Sequence, residues 1–380
     1  MRFAALGWRV EAICPTGHPL RCTRAVAKLH HYSALRPVAA LAAAISSAEP
    51  DLIVPCDDRA VAHLHDLHAR PAIPAPLAGV IARSLGRAES FAAADRRVDL
   101  IRIAREQGLL APDTRPVESA AELRAVLADF GLPVVLKVDG TWGGLGTVIA
   151  HTPAEAEHAR DTLMRRFGAA RTLKRLLIDR DPFHLLPWLK RTRWRVSAQR
   201  FVPGGPANSI VACWKGEVLA SIQVEVLLSY PNLGSSAVVQ VIEHPDMTRA
   251  ANTLVRRLGL SGFCGFDFMI EAATGRAHLI EMNPRSTPLC HFALGDGHDP
   301  IGALVARLQG IEGSTMRPMT DKSVVAFFPN AWQLAPDSPF LATAYHDVPW
   351  ADPDLVRELV RQPYATRGIP ARLLARLRRA

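Results

Sequence analysis

A glycine-rich segment links two strand-like runs of the chain, residues 132–138 and 147–150. Glycine permits close backbone approach, so a strand–loop–strand of this kind can lay N–H groups over a polyphosphate. Lys137, at the end of the first run, can add a point charge to the phosphates. An ordinary β-hairpin with a glycine turn is the alternative interpretation. The glycines of this predicted flap are Gly140, Gly143, Gly144 and Gly146.

Two familiar phosphate motifs do not fit this segment. The spacing Gly-x-x-x-x-Gly-Lys-Ser/Thr of a P-loop is absent from it. No helix is predicted directly after the glycines, and the dinucleotide fingerprint requires one. The flap therefore indicates phosphate binding of another kind.

Residues 263–283 predict a β-hairpin with two acidic strands. A turn centred on Thr274 sets Glu271 opposite Ala277 and Asp267 opposite Glu281. Opposed carboxylates repel, and a divalent cation between them removes that penalty. Asn283 projects from the same face and offers a third oxygen, a donor set that favours Mg²⁺ over zinc. A register slipped by one residue, or a solvated acidic hairpin, is the alternative.

The surrounding elements alternate between strands and helices, which predicts an α/β fold. Residues 8–13 and 51–55 have the character of strands, and residues 37–48 and 59–69 that of helices. Further along, helices are predicted over 94–107, from a capping box at Ser119 to about 130, and from Thr152 onward. Strand-rich stretches follow at 195–202 and 209–226, and signals weaken from about 316.

The overall composition limits the classes of protein to which this chain can belong. The chain has 380 residues, enough for two or three lobes, with 49% hydrophobic and 21% charged residues. We find no apolar run of about 18 residues and no signal-peptide pattern, so a cytoplasmic protein without membrane association is expected. The net charge of +9 suits an acidic partner such as ATP. No nucleic-acid partner is expected, because the basic residues are scattered, and no Cys-x-x-Cys pair suggests zinc.

The order of these motifs resembles that of ATP-grasp enzymes. The shared features are the strand lysine with its glycine-rich flap, Gln199-Arg-Phe-Val-Pro-Gly204, Gly265-Phe-Asp-Phe, and Glu281-Met-Asn-Pro-Arg285. The resemblance covers about residues 85–315 and is strongest to the branch of carbamoyl phosphate synthetase and biotin carboxylase. It implies an ATP-grasp fold of α+β lobes with a reduced Rossmann-like front domain. Its implied bounds are 1–90 for the front domain, 91–315 for the ATP-grasp domain with a lid at about 115–200, and 316–380 for a C-terminal extension.

The resemblance also implies roles for single residues. Arg97, Lys137, Gly143, Gly144 and Gly146 correspond to positions that contact the ATP phosphates. Gln199 and Val202 correspond to the hinge that hydrogen-bonds adenine. The implied metal ligands are Asp267, Glu281 and Asn283, and the implied catalytic residues are Arg285, on the transferred phosphoryl group, and Lys137. The family's opening strand and its glycine-rich turn are not found, which leaves a late start of the chain or a reduced front lobe as alternatives.

The expected activity is that of an ATP-dependent carboxylate–amine ligase. It would use ATP and Mg²⁺, with Mn²⁺ as a second candidate ion, to convert a small-molecule carboxylate into an acyl phosphate that a nucleophile attacks. One alternative is activation of bicarbonate or carbamate, as in carbamoyl phosphate synthetase. Another is a non-catalytic nucleotide-binding regulatory module. The sequence leaves the acid, the acceptor and the oligomeric state open, a homo-oligomer among the possibilities.

Overall fold

A computed structural model describes residues 1–361 of the chain except 16, 92, 94–95, 140–145, 166–194, 231–234 and 312–316. The helices of this part are α1 (Arg2–Ala5), α2 (Pro37–Ala48), α3 (Asp58–His68), α4 (Ala75–Leu85), α5 (Arg97–Glu106), α6 (Ala120–Phe130), α7 (Pro153–Arg165), α8 (Pro245–Leu258), α9 (Pro300–Gln309), α10 (Asn330–Leu334), α11 (Phe340–Thr343) and α12 (Pro353–Leu359). The strands are β1 (Glu11–Cys14), β2 (Lys28–His31), β3 (Thr114–Pro116), β4 (Val134–Val138), β5 (Thr147–Ala150), β6 (Val196–Arg200), β7 (Gly204–Trp214), β8 (Glu217–Ser229), β9 (Ser236–Ile242), β10 (Gly262–Glu271), β11 (Ala277–Asn283), β12 (Val324–Phe327) and β13 (Tyr345–Asp347).

Three sheets organise the described residues. The large sheet has seven strands in the order β11-β10-β7-β8-β9-β12-β13, and a second sheet has four in the order β3-β6-β4-β5. A parallel pair of β1 and β2 completes the set near the N-terminus. This mixed architecture confirms the predicted fold class of α/β lobes. Strands β12 and β13 extend the large sheet, although the sequence beyond about residue 316 carried weak signals.

Each of the two larger sheets is covered by helices that bury its apolar face. One face of the seven-stranded sheet packs on α5 and α8, where Leu254, Phe266 and Phe268 are among the buried residues. The other face packs on α9 and on the segment that precedes it, with Leu304 and Phe292 among the buried residues. Alternation along β10 sends Phe266 and Phe268 into the first core and leaves Asp267 between them on the opposite face. The four-stranded sheet packs on α6 and α7 in a core of its own.

The local signals for two helices are confirmed. Ser119 caps α6 and Glu122 reaches back to the cap, so both halves of the predicted capping box are present. Thr152 accepts a hydrogen bond from the backbone N–H of Glu155 at the start of α7, at 3.2 Å. These short polar side chains satisfy backbone donors that have no partner inside a helix.

The strand predicted at residues 51–55 is wrong, because this segment does not pair in any sheet of the described chain. Its backbone groups bond to isolated partners instead. The N–H of Ile53 donates to Ser84 Oγ at 2.9 Å, and the carbonyl of Pro55 accepts from the N–H of Ser286 at 3.0 Å. The apolar run is therefore a connection between α2 and α3 that contacts the segment after β11 through Ser286.

The acidic hairpin has a register that the sequence predicted only in part. Ile270, and not Glu271, lies opposite Ala277. A β-bulge follows, because Phe268 pairs with Leu279 while Asp267 pairs with Glu281, so Ile280 is the extra residue. The predicted pairing of Asp267 with Glu281 is confirmed, and the predicted pairing of Glu271 with Ala277 is wrong. Without the bulge, the register of Ile270 with Ala277 would continue to pair Asp267 with Ile280 and would turn Glu281 to the other face.

The front lobe joins the large sheet at the start of β10. Arg87 donates its backbone N–H to Gly259, and Ser261 donates its own to Leu85, at 3.2 and 3.3 Å. Gly262 lies at this junction with a φ of +81°, and a Cβ there would lie 2.3 Å from the carbonyl oxygen of Ser84. Only glycine fits such a position without movement of the backbone.

We expect Gly262→Ala to lower the free energy of unfolding by roughly 2–5 kcal/mol, from backbone strain plus the clash with Ser84. Gly108→Ala is the matched control, because Gly108 has a φ of +72° and nothing within 4 Å of its added Cβ. The free energy of unfolding of the control should fall by only about 1–2 kcal/mol, because only the backbone strain applies there. Urea unfolding of both variants measures the difference, and equal losses would contradict a tight junction.

Candidate active site

Two half-buried carboxylates form the centre of the candidate site. Asp267 and Glu281 lie directly opposite each other on β10 and β11. Asp267 accepts hydrogen bonds from Asn208 Nδ2 at 2.6 Å and from Asn283 Nδ2 at 3.0 Å. Burial, and then the neighbouring charge of Glu281, raise the pKa of Asp267 to about 6. A cation beside this pair would relieve both effects.

Arg97 lies across the acids from α5. Its guanidinium donates to Glu281 Oε1 at 2.8 Å and to Asp139 Oδ1 at 3.0 Å, and its side chain is only 8% exposed. Burial alone would raise the pKa of Glu281, but Arg97 and Lys137 outweigh burial and lower it. Asp139 has a raised pKa, chiefly because it is buried. Arg97 therefore belongs to the charged centre and is not a surface residue of its helix.

Lys137 projects from β4, in the four-stranded sheet, toward the same centre. It is 4% exposed, and no hydrogen bond or ion pair of its ammonium is found within the described part of the chain. Burial, and then the charge of Arg97, lower the pKa of Lys137 to about 8. A buried ammonium without a protein acceptor is suited to an anionic ligand.

Arg285 is held from the front lobe. Its Nε and Nη2 donate to the two oxygens of Asp58 at 2.7 and 3.2 Å, which forms a bidentate pair. Nη2 also donates to Asn283 Oδ1 at 3.2 Å. Asp58 is the first residue of α3, so this helix of the front lobe orients the predicted phosphoryl-binding arginine.

The predicted hinge residues lie where the two sheets meet. Gln199, buried on β6, donates from Nε2 to Thr114 Oγ1 at 3.0 Å and to the carbonyl oxygen of the bulged Ile280 at 3.5 Å. Val202 follows in the segment that leads into β7. Gly146 precedes β5, whereas Gly143 and Gly144 lie outside the described residues.

One cavity of about 580 Å³ connects these groups, within the usual range for small-molecule sites. It runs between the two sheets and across the face of the large sheet toward β12 and β13. The predicted site residues that line it are Arg97, Lys137, Gly146, Gln199, Val202, Asp267, Glu281, Asn283 and Arg285. The structure thus brings together all the predicted site residues that it describes.

These residues fit a magnesium nucleotide. Among the described residues no cluster of three His, Cys, Asp or Glu side chains could hold a metal alone. Two carboxylates with an amide therefore suit a cation that takes its remaining ligands from phosphate oxygens and water. The Asn283 amide presently turns its nitrogen to Asp267 and its oxygen to Arg285. Rotation of that amide by half a turn would present the oxygen to an ion.

Sequence reasoning missed several polar residues of the site. Asp139 pairs with Arg97, and Asp58 pairs with Arg285. Asn208 donates to Asp267. His291 and Asp347 line the far part of the cavity. Asp139 lies two residues after Lys137, and this position could have suggested it. Asp58 and Asp347 lie far along the chain from their partners Arg285 and His291, and no local pattern connects them.

The two sheets, the cleft between them and its charged residues define an ATP-grasp protein. Residues 99–293 match the family of the carbamoyl-phosphate synthase L chain, ATP binding domain. The chain belongs to this family. It lies in the branch of the ATP-grasp superfamily that includes carbamoyl phosphate synthase and biotin carboxylase, so the predicted family is confirmed.

Sequence relatives include the carbamoyl phosphate synthase large chains of two bacteria. The Mycobacterium tuberculosis protein is 25% identical over 245 residues, which cover 62% of this chain and 20% of the relative. The Gemmatimonas aurantiaca protein is 28% identical over 271 residues, which cover 69% of this chain and 23% of the relative. This chain thus spans about a fifth of the length of the curated relatives it matches.

Solved structures share the fold at low sequence identity. The biotin carboxylase domain of Hydrogenobacter thermophilus 2-oxoglutarate carboxylase, a dimer in complex with MgADP, ADP and bicarbonate, has a TM-score of 0.59 at 13% identity. The similarity covers 84% of this chain and 67% of that one. N5-carboxyaminoimidazole ribonucleotide synthetase from Thermus thermophilus has a TM-score of 0.57 at 16% identity. This similarity covers 83% of this chain and 76% of that one.

The helices in the described part of the chain are too short or too polar to cross a lipid bilayer.

Proposed function

We propose that this protein is an ATP- and Mg²⁺-dependent ligase that phosphorylates a substrate carboxylate to an acyl phosphate, which an amine then attacks. One observation carries the proposal: the opposed acids Asp267 and Glu281 line one cavity with a buried Lys137 that has no partner among the described residues. This combination of charges is complementary to a triphosphate and its metal ion. Membership of an ATP-binding family supports the same ligand.

In this proposal each residue has a distinct task. Asp267, Glu281 and the rotated Asn283 would hold Mg²⁺, which when bound offsets the charge of the phosphates. Mn²⁺ is a second ion that such oxygen ligands accept. Lys137 and Arg97 bind the phosphate chain, and the predicted flap 140–146 closes over it. Gln199 and Val202 bind the adenine. Arg285 orients the phosphoryl group as it moves to the carboxylate.

Activation of bicarbonate or carbamate is the second candidate. It is favoured by the names of the sequence relatives, which are carbamoyl phosphate synthase large chains. The cavity favours a larger acid, because beyond Arg285 it continues past apolar residues of the large sheet, including Val226, Val239 and Phe327. Such walls bury a carbon skeleton, which bicarbonate does not have.

A non-catalytic nucleotide-binding module is the third candidate. The arrangement of Arg285 weighs against it, since a protein that only holds ATP has no need to orient a second arginine toward the transferred phosphate.

Free thiols at all six cysteines accord with a cytoplasmic compartment. A homo-oligomer is proposed only by analogy with the dimeric biotin carboxylase domain.

ADP release with Mg²⁺ present tests the three candidates. The panel comprises L-amino acids, dicarboxylic acids and bicarbonate, each with and without a primary amine. ADP that depends on an organic acid supports the ligase, and ADP that depends on bicarbonate alone supports the second candidate. ATP binding without ADP across the whole panel would overturn the proposal in favour of a binding module.

Asp58→Asn is expected to lower the kcat for ADP release about tenfold, because one charge-assisted bond that holds Arg285 is weakened. The neighbouring Asp57→Asn is the matched control. Asp57 accepts a hydrogen bond from the N–H of Ala60 at 2.7 Å and caps α3. The control should lower stability by up to about 1 kcal/mol and leave kcat unchanged. Equal kcat values for the two variants would refute the orienting role of Asp58.

A further inference from the structure

A histidine–carboxylate pair lies in the far part of the cavity, and the proposed function gives neither of its two residues a role. His291 Nε2 lies 2.9 Å from Asp347 Oδ1, and the two residues come from the segment after β11 and from the end of β13. Both line the same cavity as Glu281 and Arg285. The His291 side chain is 39% exposed and that of Asp347 is 21% exposed. The pair is therefore accessible to a ligand in the cavity.

The hydrogen bond determines where the imidazole can accept a proton. A carboxylate only accepts hydrogen bonds, so Nε2 of a neutral His291 carries the proton and donates to Asp347. The lone pair is then on Nδ1, for which the described residues provide no hydrogen-bond partner. A neutral imidazole oriented by a carboxylate is the arrangement of a general base.

The charges of the cavity walls differ between its two parts. The basic lining residues Arg97, Lys137, Arg200 and Arg285 all lie at the nucleotide part. Among the described lining residues from β8, β9, β12, β13 and the turns beside them, there is no Lys or Arg, and Asp347 is the acid. This part accordingly disfavours a second anion and favours a group that carries or gains a positive charge.

The geometry points to an acceptor subsite for a primary amine with an apolar body, in which His291 is the general base and Asp347 orients it. Apolar residues beside the pair, including Phe327 and Phe328, line the same region. Asn330 adds a polar group to this wall. The inference names the nucleophile of the proposed ligase and rests on that proposed function.

The step balances without any further reactant. The amine nitrogen attacks the carbonyl carbon of the acyl phosphate, and a C–N bond forms. The C–O bond to the phosphoryl group breaks, and phosphate leaves with the electron pair. His291 Nδ1 takes the proton that the nitrogen loses, and the resulting imidazolium is stabilised by Asp347. The products are an amide and inorganic phosphate.

Hydroxylamine provides the test, because it is uncharged at neutral pH and attacks acyl phosphates without a base. The full-length protein is incubated with ATP, Mg²⁺ and the acid that gives the most hydroxamate from a panel of L-amino acids and dicarboxylic acids. In parallel, amide formation is measured with a panel of primary amines. His291→Gln retains an N–H that can donate to Asp347 but cannot accept the proton.

We expect His291→Gln to lose amide formation by about 10²-fold or more while hydroxamate formation is unchanged. Asp347→Asn should also lower the rate of amide formation. His298→Gln is the matched control with no loss, since His298 lies in the same connecting segment and bonds to the carbonyl oxygen of Ser221 at 2.7 Å. Equal loss of both products, or loss of neither, in His291→Gln would overturn the inference. Absence of hydroxamate and of ADP in the wild type would overturn the proposed function itself, and this inference with it.

Discussion

Glu281→Gln is expected to lower ATP turnover by about 10²- to 10³-fold and to leave the fold intact. The substitution keeps the size of the side chain, and its amide oxygen can still accept from Arg97. It removes one of two opposed negative charges, so the attraction for a divalent cation falls. Turnover should therefore fall because the metal–phosphate complex is no longer stabilised.

ADP release with saturating Mg²⁺ measures the effect, and circular dichroism checks the fold. Glu271→Gln is the matched control from the same hairpin. Glu271 accepts a hydrogen bond from Thr274 Oγ1 at 2.6 Å and does not line the cavity. Wild-type turnover in Glu271→Gln with a collapse in Glu281→Gln is the expected pair of results. Undiminished ADP release by Glu281→Gln would exclude Glu281 from the proposed metal site.

Lys137→Met is expected to make the protein more stable and nearly inactive. The pKa of Lys137 is lowered from 10.5 to about 8, which corresponds to a cost of roughly 3 kcal/mol for burying the charged form at neutral pH. Methionine fills a similar volume without this cost. The same substitution removes the ammonium proposed to bind the phosphates, so ATP turnover should fall by about 10²-fold or more.

The gain in stability should depend on pH in one direction. The folded-state pKa of about 8 lies below the unfolded value of 10.5, so the folded protein binds fewer protons between these values. The free energy of unfolding contributed by Lys137 therefore rises with pH across this window. Lys137→Met lacks that rise. Its advantage should be complete below about pH 8 and should disappear toward pH 10.5.

Urea unfolding at about pH 7 and about pH 10, on either side of the window set by the two pKa values, measures this advantage in the absence of ATP. Lys28→Met is the control, because Lys28 is an exposed residue of β2 whose Nζ donates to Ser47 Oγ. It should change neither turnover nor the pH dependence. A Lys137→Met variant that is less stable than the wild type at neutral pH would show that the lysine is held by partners that stabilise its charge.

The sequence predicted the structural features that are determined by local patterns of residues. The capping box at Ser119 and the strand that carries Lys137 depend on neighbouring residues, and the structure has both. The acids Asp267 and Glu281 could be paired because a short hairpin restricts the possible registers. Residue roles at the candidate site stay predictions, as do the domain bounds.

What the sequence did not predict depends on long-range packing. Asp58 and Arg285 are 227 positions apart, and His291 meets Asp347 only because β13 joins the edge of the large sheet. The strand expected at residues 51–55 failed for the same reason. Its composition suits a sheet, but it pairs with no strand in the described part of the fold.

The bulged Ile280 has a consequence for comparing this chain with its relatives. Deletion of Ile280 would leave Leu279 opposite Phe268 and Glu281 opposite Asp267, so the acidic pair would survive in a regular hairpin. In an alignment, a relative of this kind would show a gap of one position just before the second acid. Such a gap is therefore no sign that the proposed metal site has been lost.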